Sequence, residues 1–75
     1  MNNTIEVFST NIRTKKQADK LLRRLKNRCP SYQINFDLED CDNILRVESH
    51  NGQIDIRTVL KIVKNLGLTA RVLPD

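Results

Sequence analysis

The chain has 75 residues, 39% hydrophobic and 29% charged, with only two glycines and two prolines; this fits one domain with one modest core and leaves little for linker or disordered sequence. No apolar run approaches the ~20 residues of a membrane span, and Met1-Asn2-Asn3-Thr4 has neither the basic region nor the apolar stretch of a signal peptide, so a cytoplasmic location is expected. The net charge of +4 hides a segregation: Arg13 to Arg28 holds eight basic residues and one acid, a net of +7, and the remainder nets −3, which can steer a charged partner.

Thr4 to Ser9 reads as a strand in which Ile5 and Val7 alternate with Thr4 and Glu6, with Phe8 breaking the alternation. Thr14-Lys15-Lys16-Gln17 fits a capping box. The helix it opens carries an apolar stripe of Ala18, Leu21, Leu22, Leu25 and Cys29, and Pro30 ends it. From Ser31 to Glu39 the residues alternate strictly, Ile34, Phe36 and Leu38 on one face and Gln33, Asn35 and Asp37 on the other. Glu39 to Asn43 is a polar turn, and Ile44 to Ser49 returns as a strand with Leu45 and Val47 inward and Arg46 and Glu48 outward, which makes a hairpin. Asn51-Gly52 marks a turn, and Asp55 caps a second helix with the stripe Ile56, Val59, Leu60, Val63 and Leu66. Gly67 stands where a left-handed helix cap is expected, and Leu68 to Leu73 is a last short strand.

Two helices with one apolar stripe each must bury it against a sheet. With right-handed crossovers the simplest solution is an α+β, ferredoxin-like βαββαβ sandwich: an antiparallel sheet of order 4-1-3-2 with both helices on one face.

The residues also carry a family likeness. Ile34-Asn35-Phe36-Asp37-Leu38-Glu39 is similar to the second strand of heavy-metal-associated domains, and Val59-Leu60-Lys61-Ile62-Val63-Lys64-Asn65-Leu66-Gly67-Leu68 to their second helix and glycine turn. The chain thus resembles that family over nearly its whole length. The resemblance implies the fold but not the chemistry. The family's M-x-C-x-x-C loop, where two thiolates hold a soft ion, corresponds here to Ser9 to Gln17, which contains no Cys, His or Met and carries Arg13, Lys15 and Lys16. No metal ligand and no cofactor carries over.

Each remaining candidate has a structural reading beside its functional one. Cys29 reads as a small hydrophobe completing its stripe. Cys41, between Asp40 and Asp42, is a weak metal candidate: its thiolate is disfavoured by the flanking acids, and a soft-metal role needs a second molecule. The topology puts the two cysteines at opposite ends of the second strand, roughly 20 Å or more apart at ~3.3 Å per residue, too far for a disulfide. Asp37, Glu39, Asp40 and Asp42 lack the glycine and terminal glutamate of a calcium loop. His50, the only histidine, has no acid or nucleophile placed to make it a base, and no catalytic set is found elsewhere. The expected partner surface is the outer side of the helices: Lys16, Lys20, Arg23 and Arg24 on the first, Arg57, Lys61 and Lys64 on the second. Three functions follow: a non-enzymatic interaction domain binding an acidic protein; a degenerate soft-metal chaperone using Cys41 across a dimer; and phosphate-directed nucleic-acid binding, without an aromatic sheet platform for bases.

Overall fold

Chemistry local to the helix ends frames the structure. The computed structural model of the chain describes residues 3–37, 43–50 and 52–73. Thr14 precedes helix α1 (Lys15–Arg28): its hydroxyl accepts from the Gln17 N–H at 3.1 Å, and Gln17 Oε1 accepts from the N–H groups of Thr14 at 3.3 Å and Arg13 at 3.0 Å. Donors that the first turn would orphan are thereby satisfied reciprocally. Asp55 caps helix α2 (Ile56–Asn65) by accepting from the Thr58 N–H at 3.2 Å and the Thr58 hydroxyl at 2.9 Å. At its other end, Gly67 at φ 76° donates to the Lys64 carbonyl at 2.9 Å, and Leu68 N–H to the Val63 carbonyl at 3.1 Å. That is the paired bonding of a Schellman cap, in which the left-handed residue bears no Cβ penalty if it is glycine.

Among the described residues four antiparallel strands accompany the helices: β1 (Thr4–Thr10), β2 (Tyr32–Asp37), β3 (Ile44–Ser49) and β4 (Ala70–Val72). Their order is β2-β3-β1-β4; counted from the β4 edge, the same neighbours read 4-1-3-2. In register, Phe8 lies opposite Leu45 and Val72, and Leu45 opposite Phe36, while Val47 pairs with Ile34. These residues share one core with Ala18, Leu21 and Leu25 of α1 and Val59 and Val63 of α2. Both helices therefore cover one face, in a βαββαβ arrangement of ferredoxin-like form. Each fully buried Leu or Val is worth ~1.5–3 kcal/mol, so the stripes, not helix propensity, hold the layers together.

One strand is inverted relative to expectation. Phe8 is wholly buried (0%) and Ile5 is 48% exposed, so Thr4, Glu6, Phe8 and Thr10 share the core-facing parity of β1 while Ile5 and Val7 lie on the open face. The larger aromatic decides the parity, because it removes more apolar area from water. The open face carries Ile5, Val7 and Ile44 beside Arg46, Glu48, Gln33 and Asn35. The last strand is also shorter than the expected 68–73. Leu68 is spent in the helix cap and the core, and the Thr69 N–H donates to Asn11 Oδ1 at 2.9 Å. Leu38, the acidic turn from Glu39 to Asp42 with Cys41, and Asn51 lie outside the described residues.

Candidate functional site

The loop between β1 and α1 is closed by its own residues. Ile12 is fully buried, Asn11 N–H donates to the Thr69 carbonyl at 3.3 Å, and the Ile12 N–H donates to Thr10 Oγ1 at 3.3 Å. The Thr10 hydroxyl donates to the Asn43 carbonyl at 2.7 Å. These bonds dock the loop on the turns around it. At the opposite end of the sheet, the Thr4 hydroxyl donates to the Gly52 carbonyl, and the Tyr32 hydroxyl accepts from the Asp55 N–H at 2.8 Å. His50 lies there, exposed, with Nδ1 3.2 Å from Asn3 Oδ1 and Nε2 3.6 Å from Glu48 Oε2. Glu48 is thus an acid beside His50 that the sequence did not place there, but these contacts tie strand ends together and supply no nucleophile for a base to activate.

Cys29 is half-buried, less enclosed than its place in the α1 stripe predicts. Burial pushes its thiol up, which outweighs the lowering by Arg28; Asp55 also raises it. A raised thiol is mostly protonated at neutral pH and a poor nucleophile or ligand. Among the described residues no three His, Cys, Asp or Glu side chains come together to hold a metal ion, and no helix is long and apolar enough to cross a membrane. Cys41 and the acids Glu39, Asp40 and Asp42 lie outside the described residues.

The helical layer concentrates the charge. α1 carries seven Lys or Arg residues and one acid, Asp19; α2 carries Arg57, Lys61 and Lys64 and no acid. All seven residues expected at the partner surface are exposed: Lys16, Lys20, Arg23, Arg24, Arg57, Lys61 and Lys64. They do not form one cluster. Lys16, Lys20 and Arg23 line a shallow recess along α1 with Asp19. Arg57 lies near Tyr32 and Gln53 at one end of α2, and Lys64 near Leu68 and Thr69 at the other.

Of these seven, only Arg24 and Lys61 are brought together from different helices, in an interhelical groove of about 440 Å³ that Arg28 joins. Asn27 and Asn65 complete its polar walls, and Thr58 and Ile62 also line it. The side chains of Arg24, Arg28, Lys61, Asn27 and Asn65 make no hydrogen bond or ion pair with described residues. Thr58 differs, since its hydroxyl proton is committed to Asp55. Arg28, Asn27 and Asn65 are not among the residues expected at the partner surface from the sequence. The signal available for Arg28 was its position four residues after Arg24, on the same helix face; nothing local marks the two asparagines.

All three aromatic residues, Phe8, Tyr32 and Phe36, pack in or against the core, so the helical layer has no ring on which a base could stack. No family model matches this chain, and no curated protein matches it.

Proposed function

We propose that this chain is a non-enzymatic binding domain, a heavy-metal-associated scaffold without that family's metal loop, whose basic helical layer docks an acidic segment of a protein partner. The observation that carries the reading is the ten-to-one excess of cations over acids on α1 and α2. Uncompensated charge on one layer raises the local concentration of an anionic partner and speeds its association. The missing aromatic platform weighs against single-stranded nucleic acid, which needs stacking as well as charge.

The test is titration of the whole protein with a fluorescent oligoglutamate peptide at rising NaCl. Binding is expected at low salt and should weaken steeply as screening shortens the reach of exposed charges. Lys16→Glu with Lys20→Glu should weaken it further. No binding of oligoglutamate at low ionic strength would end the proposal.

A further inference from the structure

We infer that the groove between α1 and α2 is a phosphate-monoester site, which holds a phosphorylated serine or threonine within the partner's acidic segment. The inference rests on the docking function proposed above and adds a chemical identity to its centre.

Two features set the groove apart from the recess along α1, and a third makes its donors available. It gathers Arg24, Arg28 and Lys61 from two helices whose mutual position is fixed by the core beneath them. Among the described residues no carboxylate lines it, whereas Asp19 lies in the recess along α1. Its five donor side chains, Arg24, Arg28, Lys61, Asn27 and Asn65, are, like the cations elsewhere on the layer, not spent on other described residues. A carboxylate offers one negative charge and two oxygens, enough for one guanidinium fork. A phosphate monoester carries about −1.5 to −2 charges and three acceptor oxygens, so it can take two arginine forks and an ammonium together. The adjoining carboxamides donate further N–H groups. Thr58 lines the groove without donating to the ligand, because its hydroxyl already bonds Asp55.

The occupant is larger than a lone phosphate. The groove's 440 Å³ exceeds one phosphoryl group, and exposed Lys20, Arg57 and Lys64 extend the positive layer beyond it. A phosphorylated residue flanked by acids meets both features. A nucleic-acid backbone offers diesters with one charge each, and its bases would find no aromatic partner on this layer.

The experiment compares four probes on the intact protein at one ionic strength: an acidic peptide with a central serine, the same peptide with phosphoserine, a single-stranded oligonucleotide of similar length, and vesicles containing phosphoinositide. The phosphopeptide should bind about tenfold or more tighter than its serine form, as two or more charge-assisted hydrogen bonds allow. Arg24→Gln with Arg28→Gln should collapse that ratio towards one. Lys16→Gln with Lys20→Gln should weaken both peptides together and leave the ratio intact. All four residues are exposed, and a circular dichroism spectrum checks that the fold is kept. If both peptides bind equally, the phosphate site is refuted and the docking proposal stands; if neither binds, both fall. A ratio that survives in the double-arginine variant, or tighter binding to the oligonucleotide or to phosphoinositide vesicles, would also overturn the assignment.

Discussion

Phe8 and Ile5 lie on one strand and meet opposite surroundings, the first wholly buried and the second 48% exposed. Replacing Phe8 by alanine should cost about 3–5 kcal/mol, a large share of what holds a domain of this size together. Ile5→Ala should cost less than about 1 kcal/mol. Urea midpoints of the two variants check this, and equal losses would contradict the register of β1. The inversion was illegible in the sequence because both parities of β1 mix apolar and polar residues, so alternation could not choose between them. Ile12 was hidden for a related reason: a loop has no period, and only the tertiary structure shows that it enters the core. Asp55 was legible, since a cap is a local device. Its hydrogen bonds from Thr58, chiefly the hydroxyl's, hold its carboxyl below the ordinary 3.8. The native state therefore favours the ionised form. The contribution is fully present above the unfolded value and is lost as pH falls through the native one. Asp55→Ala should thus lower thermal stability at neutral pH and flatten its dependence below about pH 4. A variant with the full acid slope of the parent would remove Asp55 from that account.

Among elements, what depends on neighbours in sequence was readable and what depends on distant pairs was not. The capping box at Thr14, the helix stripes and the glycine cap at Gly67 all lie within a few residues of the feature they determine. The length of β4 depends on Asn11 reaching Thr69 across the fold, and the groove on Arg24 meeting Lys61 from another helix. Gly67 separates backbone from packing effects. A Cβ built there meets nothing within 4 Å, while φ is +76°. Gly67→Ala should therefore destabilise by about 1–2 kcal/mol through the left-handed backbone alone. Asn, which tolerates that region, should recover part of the loss. Thermal melts of the two variants decide it: equal losses would point to a cause other than the backbone.

At the scale of the molecule, the charge distribution proposed to serve a partner also opposes folding. The structure measures 35 × 25 × 17 Å, and the Debye length is ~30 Å at 0.01 M salt but ~8 Å at 0.15 M. In dilute salt each cation of the helical layer therefore feels nearly all the others; near physiological salt it feels only its neighbours. Raising NaCl across this range should raise the melting temperature, because screening relieves repulsion that the single acid of the layer does not offset. Arg24→Glu sharpens the test. Position 24 lies four residues from both Lys20 and Arg28 on α1, so the substitution replaces two like-charge neighbours by two opposite-charge pairs, each worth ~0.2–0.5 kcal/mol. The pair with Arg28 has the better orientation, since the acid there stands N-terminal to the base. The variant should melt higher than the parent at low salt and lose that advantage as salt is added. It should also lose the preference for the phosphorylated peptide. Stability and binding moving in opposite directions on one substitution is what a layer kept positive for a partner must show. A parent protein whose melting temperature falls with added salt would mean that its charges already attract on balance, and would remove the electrostatic basis of the docking proposal.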